Sequence, residues 1–163
     1  MARPAGYTLT QIRLHWIIVL LVAAQYLLHD TISEAWDVVR DGGEAAFHPL
    51  IAQHVLLGAL VGLLTVWRLI LRLVHGVQPP PDAEHKALKS VAHATHWAFY
   101  VLLILLPVSG AMAWFGGFGP GASVHNVLKI ALLALTVLHI LAALYHQFVL
   151  RTNLMARMKR PMT

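Results

Sequence analysis

Residues 123–150 read SVHNVLKIALLALTVLHILAALYHQFVL, with Lys129 as the only Lys, Arg, Asp or Glu among them. As a helix rising about 1.5 Å per residue, this run is long enough to cross a hydrocarbon core of about 30 Å. Three further apolar stretches meet the same requirement, at residues 10–29, 49–74 and 90–115. The sequence therefore predicts an all-α integral membrane protein, a single up-down-up-down bundle of four helices over residues 1–163.

Composition supports a membrane location. Of 163 residues, 58% are hydrophobic and 12% are charged, which is more apolar than an ordinary soluble domain. The absence of cysteine excludes disulfides, thiolate metal sites and covalently attached haem. The net charge of +5 comes from basic residues beside the apolar stretches, so we expect lipid and not nucleic acid as the partner.

The connections between the predicted spans differ in character. Residues 30–47 carry five carboxylates and one arginine, and we expect this acidic segment to lie partly on the membrane surface. Three prolines at residues 79–81 prevent a helix from continuing there. Residues 115–122 are rich in glycine and form the predicted third turn, after which Ser123 is a candidate N-cap for the last helix.

The distribution of basic residues predicts the orientation in the membrane. If there are four spans, ten of the twelve Lys and Arg residues fall on one side of the membrane, and Arg40 and Lys129 do not. Those ten are Arg3, Arg13, Arg68, Arg72, Lys86, Lys89, Arg151, Arg157, Lys159 and Arg160. Because basic residues accumulate on the cytoplasmic side, we expect both termini in the cytoplasm of a bacterium, with the acidic segment outside its inner membrane.

Four histidines stand within the predicted spans: His15, His54, His125 and His139. Polar residues inside a membrane are costly and are therefore functional candidates. The fourteen residues from His125 to His139 return to within about 40° of the same helix face and rise about 21 Å. In an antiparallel bundle, His15 then pairs with His139 near the cytoplasm and His54 with His125 near the outside. Paired neutral imidazoles fill both axial positions of a haem iron, which suits one-electron transfer and predicts two non-covalent haem b groups.

Two features of this assignment leave alternatives open. His146 follows His139 by seven residues on nearly the same face and is the alternative inner ligand. We prefer His139, because a pairing of His125 with His146 would separate the irons by about 31 Å, the whole hydrocarbon thickness. Gly58 and Gly62 would admit either a porphyrin or a neighbouring helix.

Further polar residues surround the predicted haems. His93 and His96 begin the third span and could donate to a haem propionate or a quinone carbonyl and take up protons, or simply lie at the interface. The candidate propionate partners are Arg13, Arg68 and Arg72 on the cytoplasmic side and Lys129 on the outer side. Plain anchoring at the membrane surface is the alternative for the three arginines.

These residues resemble those of the bacterial cytochrome b561 family, which is related to the cytochrome b subunits of nickel-iron hydrogenases and formate dehydrogenases. The resemblance spans the whole chain. It is carried by Arg13-Leu14-His15-Trp16, His54 with Gly58, Trp67-Arg68-Leu69, His93, His96 and the spacing from His125 to His139. It implies haem b at His15 with His139 and at His54 with His125, and electron exchange with ubiquinone.

Several functions fit this resemblance. Some members of the family look like superoxide oxidases, which pass an electron from periplasmic superoxide to ubiquinone, although the acidic outer segment here would repel an anion. The alternative is that the chain is the haem-bearing anchor of a larger dehydrogenase or reductase with a soluble redox partner. A remoter alternative is a histidine-lined transporter of metal ions or protons, yet no Asp or Glu lies inside a span to support it. We therefore expect a quinone-linked oxidoreductase, with no side chain in a catalytic role of its own.

Overall fold

A computed structural model describes residues 6–78 and 86–161, so the prolines at residues 79–81 and Arg3 lie outside it. Over these residues it contains helices and no strand, and the predicted all-α fold is confirmed. The helices are α1 (Leu9–Leu27), α2 (Asp30–Arg40), α3 (Pro49–His75), α4 (Lys86–Trp114) and α5 (Gly119–Phe148), followed by a short 3₁₀ turn at Leu154–Met158.

Four of the helices have the length and composition of membrane spans, as predicted. These are α1, α3, α4 and α5. Large apolar side chains on their outer faces are exposed, for example Leu20 and Leu63 at 69% each and Val127 at 67%. Such surfaces are unfavourable in water and natural in lipid, so the chain is a multi-pass membrane protein.

The helix boundaries depart most from the sequence prediction at the starts of α4 and α5. α4 begins at Lys86, four residues before the predicted start, and α5 begins at Gly119 instead of residue 123. Phe118 precedes α5 as its N-cap, so the prediction that Ser123 caps this helix was wrong. Pro120 is compatible with the first turn of α5, because an N–H there would have no helical partner in any case. Gly117, with φ of 61°, forms the turn before it.

The acidic segment between α1 and α3 contains a helix, α2, where the sequence suggested a surface loop. Ile32, Trp36 and Val39 are partly buried on one face, at the spacing of an amphipathic helix. The carboxylates of this segment are exposed, and Arg40 pairs with Asp37 at 2.8 Å. An amphipathic helix of this kind lies naturally along a membrane surface.

The bundle is packed unevenly. α1 packs against α3, α3 against α4, and α4 most extensively against α5. α5 has no comparable packing with α1 or α3 and meets α1 only locally, where the Tyr26 hydroxyl donates to the carbonyl oxygen of Lys129. A gap therefore runs between α5 on one side and α1 and α3 on the other.

The helix ends nearest the chain termini are tied together by polar contacts. Gln11 forms a capping box with Thr8, and its Nε2 donates to the carbonyl oxygen of Gly76 at 3.3 Å, joining the start of α1 to the end of α3. Trp16 Nε1 donates to the carbonyl oxygen of Met158 at 2.8 Å. The carboxy-terminal turn is thereby held against α1.

Candidate functional site

A cavity of about 350 Å³ occupies the gap beside α5. Residues of α1, α3, α4 and α5 line it, and Trp36, Asp37 and Arg40 of α2 contribute to its rim. Its polar lining within the helices includes Gln25, His54, His125, Asn126 and Lys129. Its volume is in the range of small-molecule and cofactor sites. We refer to this cavity as the His54–His125 cavity.

His54 and His125 face each other from α3 and α5. Their ring centroids are 6.3 Å apart, and the ring planes are inclined by 63°. An imidazole nitrogen binds a transition metal at roughly 2 Å, so two rings on opposite sides of one metal have centroids about 6 Å apart once the ring radii are added. The pair therefore has the separation that two axial ligands of a single ion require.

Hydrogen bonds favour the tautomer that a metal ligand needs. His125 Nδ1 lies 2.9 Å from the carbonyl oxygen of Leu106 and 3.3 Å from Ser109 Oγ. A carbonyl only accepts, so Nδ1 carries the proton and Nε2 of a neutral ring is left with a free lone pair. His54 Nδ1 is buried without a hydrogen-bond partner. Histidine ligands commonly donate their second ring N–H to an acceptor, and His54 Nδ1 has no acceptor in the structure.

Two glycines leave space beside these rings. A Cβ on Gly110 would stand 3.2 Å from both Cε1 and Nδ1 of His125, closer than ordinary contact. A Cβ on Gly58 would stand 3.2 Å from Gln25 Nε2, which itself donates to the carbonyl oxygen of His54 at 2.8 Å. Because Gly58 has no side chain, it leaves room for the Gln25 side chain of α1 and for the cavity, which Gly58 lines.

The donor set of the cavity fits a haem better than a metal ion held by protein alone. Within residues 6–78 and 86–161 no group of three or more His, Asp or Glu side chains is arranged to hold a metal ion. Two imidazoles at this separation would hold a haem iron between them, because the other four ligands of that iron belong to the porphyrin.

The second histidine group comprises His15, His96 and His139, toward the end of the bundle where the termini lie. The rings of His96 and His139 are 5.8 Å apart, and Phe99 is 5.3 Å from His139. His15 is near enough to interact electrostatically with both other histidines. Arg68 Nη1 donates to His15 Nδ1 at 2.7 Å, which puts the proton of a neutral His15 on Nε2.

A small polar cavity of about 20 Å³, enough for roughly one water molecule, adjoins this group. Its polar lining is Tyr7, Gln11, Arg68, Arg72, His96 and Tyr100, and Met158 of the carboxy-terminal turn also lines it. The Arg72 guanidinium stands over the rings of Trp97 and Tyr100, 5.7 Å from each centroid. Burial raises the pKa of Tyr7 from its ordinary value, so its hydroxyl remains a hydrogen-bond donor at neutral pH.

Three predicted site residues lie apart from both histidine groups. Arg13 is exposed. It precedes His15 by two residues and therefore lies on the opposite side of α1. His93 is exposed and accepts from Trp97 Nε1 at 3.0 Å. His146 contacts Thr152 Oγ1 at 3.3 Å, in the turn that follows α5. By contrast, His96 and Arg68 line the small polar cavity, and Lys129 lines the His54–His125 cavity.

Gln25 and Gly110 lie beside the facing imidazoles and were not predicted as site residues. Gln25 carried a usable signal, because it is an uncharged polar residue inside an apolar span. Gly110 carried none, since a glycine in a membrane helix most often reflects helix packing. Tyr7 precedes the first span and becomes part of the second group only through the fold.

Comparisons with known proteins point to one family. A family model described as prokaryotic cytochrome b561 matches residues 6–161. Cytochrome b562 of Cereibacter sphaeroides is 37% identical over 163 residues, which cover 99% of each chain. A probable superoxide oxidase, CybB, of Yersinia pestis is 28% identical over 176 aligned positions that cover 93% of this chain and 94% of its own.

Proposed function

Because the chain belongs to the prokaryotic cytochrome b561 family and thus serves membrane electron transfer, we propose that it holds two haem b groups and moves electrons across the membrane to the quinone pool. Haem b between paired imidazoles supplies reversible one-electron chemistry at iron. The observation that carries the proposal is the facing of His54 and His125 across a cavity between two helices that do not pack together.

At the second group we propose His15 and His139 as the pair. His96 is nearer to His139, but it comes from α4, which packs along α5 and leaves no gap for a flat porphyrin between them. α1 and α5 are separated, as α3 and α5 are at the first pair. Ligation through His15 Nε2 requires Arg68 to leave His15 Nδ1, and the freed guanidinium is then available for a propionate.

The proposed orientation places this second group on the cytoplasmic side. Arg68 and Arg72 are the proposed propionate partners there, and Lys129 in the His54–His125 cavity is the outer one. We propose His96 and Tyr7 as proton donors to a quinone carbonyl that binds beside the small polar cavity, which both residues line.

Superoxide is the first electron donor to test, because one relative is named as a probable superoxide oxidase. Two superoxide anions would each lose one electron to become O₂, while one quinone would take up two electrons and two protons to become quinol. The assay mixes purified haem-loaded protein, a superoxide source and a soluble ubiquinone, and follows quinol formation. An absence of quinol formation, with both haems present, would remove superoxide as donor and leave another reductant to be found.

Ionic strength should affect this reaction in a direction set by the outer surface. The segment carrying α2 has five exposed carboxylates, and its one arginine is paired with Asp37. Repulsion of an anionic donor is screened by salt, so we expect the second-order rate constant with superoxide to rise between low and physiological salt. A rate that falls with added salt would mean that Lys129, and not the acidic segment, governs the approach.

Gln25 is proposed to position His54. Its Nε2 holds the carbonyl oxygen of His54, while its Oε1 is buried without a partner, as is His54 Nδ1. A small rotation would let Oε1 accept from Nδ1–H and make His54 a more electron-rich ligand. We expect Gln25→Leu to raise the midpoint potential of one haem and Gln25→Glu to lower it. Redox titration with both haems retained is the measurement, and equal potentials in the two variants would contradict the role.

A further inference from the structure

Thr65 is the most deeply buried polar side chain near the middle of the bundle. It lies on α3 and is 1% exposed, and its Oγ1 has no hydrogen-bond partner. A hydroxyl removed from water without a partner is unfavourable, and more so among apolar helices. Threonine in a helix commonly donates to the carbonyl four residues earlier, yet Thr65 does not.

A matching acceptor lies on the neighbouring helix. Pro107 stands inside α4 and has no N–H, so the carbonyl of Leu103, four residues earlier, loses its helical donor. Leu103 is in the interior part of the bundle, where it lines the His54–His125 cavity. The proline thus creates a second polar group that needs a partner.

Helix register brings the two groups to the same depth. A Cβ on Gly62 would lie 3.0 Å from Pro107 Cγ, so these two residues are level with each other on facing sides of α3 and α4. The helices run in opposite directions, so Thr65, three residues after Gly62, and Leu103, four before Pro107, lie toward the same end. Their displacements are about 4.5 and 6 Å, a difference of about 1.5 Å.

We propose that one water molecule is bound between Thr65 Oγ1 and the Leu103 carbonyl. The cavity comes within one helical turn of Thr65 and borders the acceptor residue, because Val61, Leu103 and Pro107 line it. A bridging water satisfies an acceptor on one helix and a hydroxyl on the other, the pattern in which buried waters are found. The site lies about 16 Å along α3 from His54 and one turn from Arg68, between the two histidine groups.

The decisive observation is a structure of the purified, haem-loaded chain at a resolution that reveals ordered water. We expect density within hydrogen-bond distance of both Thr65 Oγ1 and the Leu103 carbonyl oxygen, and its loss in Thr65→Val. Empty space there, or a direct bond between Thr65 and Leu103, would overturn the proposal.

Thermal unfolding provides a second, independent measurement. Thr65→Val should lower the melting temperature by about 2–4 °C, because it leaves the Leu103 carbonyl without a partner. Thr65→Ser should melt like the unmodified chain. Thr136→Val is the matched control, since the Thr136 hydroxyl already donates to Leu132 within its own helix, at 2.8 Å.

A double-mutant cycle connects Thr65 to the proline. Pro107→Ala returns an N–H donor to the Leu103 carbonyl, so Thr65→Val should be at most half as destabilising on that background. Equal effects of Thr65→Val on both backgrounds, or a melting temperature that Thr65→Val leaves unchanged or raises, would overturn the bridge. The density measurement decides the matter if Pro107→Ala fails to fold.

Discussion

His54→Ala protein should bind one haem b per chain, and the unmodified chain should bind two. Removing His54 leaves His125 as a lone axial ligand in a cavity of about 350 Å³, and a haem held on one side is lost readily during purification. His139→Ala should likewise lose one haem, of a different midpoint potential. The measurement is haem per chain with a reduced-minus-oxidised visible spectrum and a redox titration of the haem that remains.

Variants at the second group distinguish its two candidate pairs. His15→Ala should lose the same haem as His139→Ala, whereas His96→Ala should retain both haems and slow quinone reduction. His93→Ala, which changes an exposed histidine on the same helix, is the matched control and should behave like the unmodified chain. Loss of a haem in His96→Ala but not in His15→Ala would reassign the pair to His96 and His139. Loss of both haems in every variant would mean that the variants fail to fold.

Gly110→Val should remove the outer haem although neither proposed ligand is substituted. Even a single Cβ at Gly110 would stand 3.2 Å from the His125 ring, and valine adds two methyl groups beyond it. Because the carbonyl of Leu106, one turn before Gly110 on the same helix, accepts from His125 Nδ1, the ring cannot move away from Gly110 without losing that 2.9 Å hydrogen bond. We expect haem per chain to fall from two toward one, and the remaining haem to titrate like that of His54→Ala protein.

Gly119→Val is the control for this substitution. Gly119 is the first residue of α5, and a Cβ there would meet nothing within 4 Å. This variant should keep both haems and the unmodified spectrum. If Gly110→Val also kept both haems with unaltered potentials, His125 would not be held as the geometry indicates, and the outer pair would need reassignment.

The helices and the facing of His54 with His125 were predictable from the sequence because both follow from regular geometry. Apolar length determines a span, and a separation of fourteen residues determines a face and a depth on α5. The N-cap of α5 was mispredicted because Gly119, Pro120 and Gly121 suggest a turn, although proline and glycine are acceptable in the first turn of a helix.

The surroundings of the histidines were less predictable, because they depend on which helices pack closely. The proximity of His96 to His139 follows from the extensive packing of α4 on α5, and the contact of Arg68 with His15 from the packing of α1 on α3. Neither contact can be deduced from the spacing of residues along the chain. Gln25 and Gly110 became significant for the same reason, since their relevance lies in what they approach on another helix.

The amphipathic segment between α1 and α3 also bears on how the protein is made. Its five carboxylates and one arginine give it about four net negative charges. In the proposed orientation this segment crosses the membrane outward during synthesis, from the electrically negative cytoplasm to the positive exterior. A membrane potential of 100 mV favours that transfer by about 2.3 kcal/mol for each negative charge. The resting potential of the cell would therefore favour transfer of the segment between α1 and α3 across the membrane. It would help to determine the topology before any cofactor is bound.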